Sequence, residues 1–155
     1  VNTKDIPRQH LCVGDGVSQW VAEKLNAQAG FHGATGIGWM VDGKITAGAV
    51  FNNYNRASVH MHLAIEGRMP PTFVAAIMDY PFRQLGCKRI TGLIAERNWA
   101  SRRFAEHLGA RIEGVLQDAL ESGNLVVYGL LRNDACKWLT APYSRRIGAL
   151  NGLCQ

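Results

Sequence analysis

Between Arg56 and Ala95 the apolar pattern changes period twice, and this change restricts the fold more than any other feature of the chain. From Arg56 to Glu66 apolar residues alternate with polar ones, the period of a strand. From Pro71 to Leu85 the residues Phe73, Val74, Ile77, Met78, Phe82 and Leu85 form one helical stripe, stopped by Gly86. Pro81 lies inside that stripe and predicts a kink or an early end near Tyr80. Lys88 to Ala95 then returns to a strand pattern. A strand, a crossover helix and a second strand join right-handedly, so the two strands are expected to lie parallel.

Flanking segments supply the rest of a sheet. Ile37 to Val41 and Lys44 to Asn52 flank Asp42-Gly43, a strong signal for a two-residue hairpin, and Asn52 to Asn55 reads as the next turn. Before them, Val17, Trp20, Val21 and Leu25 predict a helix over 16–26, capped by Asp15 or Ser18, followed by a Gly-rich connection over 30–38. Downstream, Asn98 to Leu108 reads as a helix with Asn98 as N-cap and Gly109 as stop. Strands are expected at Arg111 to Leu116 and Asn124 to Arg132, then a tail with a helical turn at Trp138 and an irregular end carrying Tyr143. The order predicts a mixed α/β fold, a mostly antiparallel sheet flanked by helices, in one domain over 1–155 with its core at 16–132.

A chain of 155 residues can bury roughly 68–70% of its unfolded surface, enough for a core without staples. No apolar run approaches a membrane span, and Val1 to His10 has no signal-peptide core, so a cytoplasmic domain is expected. Cys12, Cys87, Cys136 and Cys154 have no short spacing, which predicts reduced thiols rather than a zinc knuckle. The net charge of +5 is concentrated between Arg83 and Arg111, and it suits either a solvated basic face or an anionic partner. The four tryptophans fit either base-stacking surfaces or, more commonly, packing.

Strand 56–66 carries the main candidate chemistry. Val59, Met61, Leu63 and Ile65 share one face; His60, His62, Ala64 and Glu66 share the other. Two imidazoles and a carboxylate in a row suit proton transfer near neutral pH, against the plainer reading of an open polar sheet face. No third ligand accompanies His60 and His62, so no metal site is expected. After the strand, Gly67 to Phe73 opens a helix whose free N–H groups, with Arg68, would suit a phosphate.

The run RITGLIAERNWASRRFAEHLGA from Arg89 to Ala110, followed by RIEGVL, resembles the second half of a GCN5-related N-acetyltransferase. Asn98, Ser101, Leu108, Gly109, Glu113 and Gly114 fall at matching positions. The run YPFRQLG, Tyr80 to Gly86, resembles acetyltransferase-like proteins of phages. The resemblance implies an acyl-coenzyme-A N-acyltransferase fold and acetyl-coenzyme A as cosubstrate. It implies that the backbone of Leu63, Ala64 and Ile65 holds pantetheine, lined by Asn98 and Ser101. His62 or Glu66 would be the base and Ser101 the acid. Arg68, Thr72, Phe73 and Arg102 would lie at the phosphates. Three positions depart from the family: Pro71 and Phe73 replace the small residues of its phosphate loop, and Ala105 stands where a Tyr is common. The acceptor is open among a protein N-terminus, a lysine and a small amine, with its pocket expected over 16–38. The rival expectation is a catalytically silent module binding a protein or, with less support, nucleic acid. A homodimer contact through the tail is also open.

Overall fold

Asp42 and Gly43 both sit at positive φ, 47° and 80°, as the two-residue hairpin requires, and Val41 pairs with Lys44 across them. This hairpin seeds the sheet. The structure, a computed structural model, describes residues 7–140; Tyr143 and Cys154 lie outside them. Strand β2 (Thr35–Val41) and β3 (Lys44–Asn52) form the hairpin, and β4 (Ser58–Ile65) continues the meander. A strand not predicted from the sequence, β1 (Gln9–Val13), lies outside β2 at the sheet edge and precedes α1 (Asp15–Lys24). The start of α1 differs from expectation. Gly14, at φ 130°, occupies the cap with no side-chain hydrogen bond, so neither Asp15 nor Ser18 caps it.

The crossover forms as predicted. Helix α2 (Pro71–Asp79) leads to β5 (Arg89–Ala95), which runs parallel to β4. Pro81 has no N–H to give to an α-helical bond, and the chain answers with a π-helical turn over Tyr80–Gln84, in which Leu85 N–H reaches Tyr80 O at 2.9 Å. Helix α3 (Trp99–Leu108) begins with Asn98 Oδ1 accepting from Ser101 N–H and stops at Gly109, φ 105°. Strands β6 (Arg111–Leu120) and β7 (Gly123–Leu131) and helix α4 (Arg132–Leu139) complete the described residues. The seven strands lie in the order β1-β2-β3-β4-β5-β7-β6.

Both faces of the sheet are covered, because neighbouring residues of β3 point opposite ways. Ala47, Ala49 and Phe51 join Phe73, Ile77 and Phe82 in the larger core, whereas Val50 packs with Val17 and Val21 of α1. Helix α1 lies close to the sheet because Gly36, Gly38 and Gly48 line its path. A Cβ on Gly48 would sit 2.7 Å from Val21 Cγ2, and one on Gly38 would sit 2.9 Å from Val17 Cγ2. At the other end, α4 closes α3: Trp138 Nε1–H donates to Leu108 O at 3.1 Å and Lys137 Nζ to His107 O at 3.1 Å.

Candidate active site

Parallel pairing between β4 and β5 lasts three residues, from Ser58 with Arg89 to His60 with Thr91. Beyond it the strands part, and a cleft of about 870 Å³ opens between residues 61–67, residues 92–95 and the N-terminal half of α3. The split also explains a correction to strand β4. The alternation placed Ile65 in the core and Ala64 on an open face. Instead Ala64 is buried under α1, and Ile65, at the mouth of the cleft, is 37% exposed. Glu66 N–H bonds back to Thr46 O at 2.7 Å. Strand alternation then turns the N–H and C=O of Ala64 toward β3 and those of Leu63 and Ile65 toward the cleft.

Seven of the residues singled out from the sequence line this cleft: His62, Leu63, Ala64, Ile65, Glu66, Asn98 and Ser101. The imidazoles and the carboxylate of β4 do not act as one row. His60 Nδ1 lies 3.4 Å from Asn53 Nδ2, His62 Nε2 lies 3.0 Å from Asn52 Oδ1, and Glu66 is ion-paired to Lys24 of α1. The His62 ring stacks on Phe31, with centroids 4.6 Å apart. Burial, and then the neighbouring His60, push the His62 pKa below 6.5, so the imidazole is neutral at pH 7. With Asn52 Oδ1 accepting, Nε2 carries the hydrogen and Nδ1 keeps its lone pair.

Four expected contacts lie elsewhere. Arg68 is exposed beyond Gly67, and Thr72 is half-buried in the first turn of α2. Phe73 is fully buried in the core, and its N–H donates to Pro70 O at 3.0 Å, as Val74 N–H does at 3.3 Å. Pro71 has no N–H, so Thr72 is the one residue of that turn whose amide is not directed back to Pro70. Arg102 donates Nε–H to Tyr128 Oη at 3.0 Å and Nη1–H to Glu96 O at 2.9 Å, and lies over the exposed Trp99 ring. The basic segment is largely engaged in this way. Arg83 reaches Leu139 O, Arg89 pairs with Glu113, and Arg111 pairs with Asp134.

Sequence reasoning missed Lys24, Phe31, Asn52 and Tyr128. Asn52 meets His62 only through the β3–β4 register, which no local pattern reveals. Trp39 is in the core, as is Cys87, whose thiol pKa burial raises. Among the described residues no group of three His, Cys, Asp or Glu could hold a metal, and no helix is long and apolar enough to cross a membrane.

The sequence matches no family profile and no curated protein. Its fold matches solved acetyltransferases. A mutant form of the spermidine/spermine N-acetyltransferase of Vibrio cholerae superposes with a TM-score of 0.68 at 13% identity, over 83% of this chain and 96% of that one. The ribosomal-protein-S5-alanine acetyltransferase of Vibrio fischeri gives 0.58 at 17% identity, over 75% and 69%. A GCN5-related N-acetyltransferase of Brucella melitensis gives 0.58 at 18%, over 68% and 54%. The mixed seven-stranded sheet with its flanking helices is the acyl-coenzyme-A N-acyltransferase fold.

Proposed function

We propose that this chain, built on the fold of GCN5-related N-acetyltransferases, transfers an acetyl group from acetyl-coenzyme A to an amine. The parting of β4 from β5 carries the reading, because it leaves a mainly apolar cleft between two strand edges. Backbone groups of Leu63 and Ile65 face that gap without a strand partner, and the amides of a pantetheine arm would satisfy them. The fit to the phosphates is narrower. With two prolines opening α2, the Arg68 guanidinium and the Thr72 amide are the contacts left to them there. Tyr80 to Gly86, the run that resembles phage acetyltransferase-like proteins, supports placing the chain in that branch.

When bound, acetyl-coenzyme A supplies an activated thioester. In this reading His62 takes the proton that an attacking amine must lose, a role suited to an imidazole kept neutral by burial. Glu66 is the alternative base, and its ion pair with Lys24 makes it the more constrained of the two. Ser101 gives a proton to the departing thiolate as the C–S bond breaks and the C–N bond forms. Asn98 fixes the first turn of α3 and thereby sets where Ser101 stands.

The test is calorimetric titration of the purified chain with acetyl-coenzyme A, with coenzyme A alongside. Micromolar binding is expected, and His62→Ala should then lower kcat by about a hundredfold or more. No binding at millimolar ligand overturns the reading and leaves a scaffold that serves a partner instead. Full turnover in both His62→Ala and Ser101→Ala would remove the roles given to those side chains.

A further inference from the structure

Where β3 turns into β4, two adjacent asparagines meet two histidines, and they do so with opposite ends of the amide. Asn52 pairs with His60 in the register and Val50 with His62, so Asn52 and His62 are diagonal neighbours on one face of the sheet. Asn52 Oδ1 lies 3.0 Å from His62 Nε2, in a half-buried contact of ordinary hydrogen-bond length. Asn53 instead turns its Nδ2 to His60 Nδ1, in an exposed contact of 3.4 Å.

An amide oxygen can only accept, so the Asn52 contact admits one tautomer of a neutral imidazole, with its hydrogen on Nε2. Phe31 lies against the same ring, centroids 4.6 Å apart, and restrains its rotation. A ring held at Nε2 and covered on one face keeps its Nδ1 edge open. Of the ionisable groups nearby, His60 on the same strand is the one whose charge acts on His62. Lys24 of α1 and Glu66 at the end of β4 are paired with each other, and the loop after α1 contributes the uncharged Phe31. An aspartate in the place of Asn52 would orient the ring equally well, but its charge would favour the imidazolium. The amide orients the ring and leaves it neutral.

We propose that Asn52 is a positioning residue for the base: it holds His62 in the Nε2–H tautomer and fixes the ring, so that Nδ1 takes the proton of the attacking amine; this rests on the acetyltransferase reading above. The third group that orients a base acts in the same way wherever a nucleophile is activated by an imidazole. The proton leaves the amine nitrogen for Nδ1 as the nitrogen lone pair forms the C–N bond. The imidazolium then keeps its Nε2–H bond to Asn52 and gives the proton on Nδ1 to solvent.

The experiment follows the ring-nitrogen NMR shifts of His62 against pH in the full chain and in Asn52→Asp, Asn52→Leu and Asn53→Gly variants, whose fold is checked by circular dichroism. Acetyl-coenzyme A is titrated into all four. Acetyl transfer to glycinamide, a probe small enough to need little of an acceptor pocket, is measured over the same pH range. The expected result is hydrogen on Nε2 in the unaltered chain and in Asn52→Asp, and a mixture of tautomers in Asn52→Leu. Asn52→Asp should raise the His62 titration by about one pH unit or more. The acid limb of kcat should move up with it, and kcat should recover above it. Asn52→Leu should lower kcat by about tenfold or more at every pH, because the ring is no longer held. Binding of acetyl-coenzyme A should be unchanged throughout. Asn53→Gly, which suits the φ of 55° there and removes the contact to His60, should keep the tautomer and kcat of the unaltered chain. Hydrogen on Nδ1 in the unaltered chain, a His62 titration that Asn52→Asp does not move, or full kcat in Asn52→Leu overturns the inference, and acetyl-coenzyme A binding alongside would leave the enzyme reading standing. The expected NMR result in a chain that binds no acetyl-coenzyme A would leave the pairing and remove both the acetyltransferase and the part of Asn52 in it.

Discussion

Substituting Gly129 by Ala should expose how β5, β7 and β6 are tied together. Glu113 of β6 lays its carboxylate over Gly129 of β7 to reach Arg89 of β5, with Nη1 donating to Oε1 at 2.7 Å. A Cβ at position 129 would fall inside the van der Waals envelope of that carboxylate. The carboxylate is the free end of a flexible side chain, so it would swing away rather than strain the sheet, and the lost quantity is the ion pair. Arg89 and Glu113 are 31% and 37% exposed, which places the pair near the surface class, about 0.5–1 kcal/mol. Against this, replacing a strand glycine by alanine gains about 0.5–1 kcal/mol in backbone entropy. The single variant is therefore expected to be close to neutral, and made in a Glu113→Ala background the same change should stabilise. Urea denaturation of all four proteins at pH 7 gives the coupling, expected at about 0.5–1 kcal/mol. Acid adds a second signature. Arg89 holds the Glu113 carboxyl below 4.5, so the unfolded chain takes up this proton first as pH falls. The stability from the pair is present above that value and lost as pH falls through the depressed folded one. Gly129→Ala should remove this part of the acid sensitivity. An effect of Gly129→Ala that is the same with and without Glu113 would refute the reasoning.

Three further outcomes are expected. Gly48→Ala drives a Cβ to 2.7 Å from Val21 Cγ2 in a packed layer, and a thermal melt should show a loss of about 1–3 kcal/mol. Trp138→Phe removes the indole bond to Leu108 O at the end of α3 and should cost about 1 kcal/mol in denaturant titrations. His62 is neutral when folded below the pH at which a free imidazole, at 6.5, takes up its proton. Stability should therefore fall as pH drops below 6.5, by at most about 1.4 kcal/mol per unit for one proton, and His62→Gln should flatten that slope.

What the sequence made legible was local. Asp42-Gly43 needs only its own backbone to turn, and Asn98 and Gly109 mark the ends of α3 without reference to anything distant. The crossover from β4 to β5 followed from a change of period. Strand β1 escaped because five residues, Gln9 to Val13, carry little pattern, and its identity comes from pairing Leu11 with Trp39, 28 positions away. Ser18 looked like a cap, yet Gly14 takes that place, and the Ser18 hydroxyl lies beneath the helix against Gly36 of β2. The candidate site was half legible. Residues of β4 and α3 that line the cleft could be named, because strand alternation and helix caps locate them. Their partners could not, since Asn52, Phe31 and Lys24 meet them through register and loop path. Arg102 read as a free cation until the geometry brought Tyr128 beneath it.

The glycines under α1 separate two kinds of variation on one helix. At Gly36, Gly38 and Gly48 even a methyl group meets Ser18, Val17 or Val21 at 2.7–2.9 Å, so the height of α1 over the sheet is set by backbone. Those positions are closed to change. The outward row of Asp15, Gln19 and Glu23 carries none of that packing and is open to it. A lineage could therefore exchange the charge pattern along the helix without disturbing the scaffold that holds the cleft. A library confined to those three residues should keep its melting temperature, whereas one confined to the three glycines should lose it.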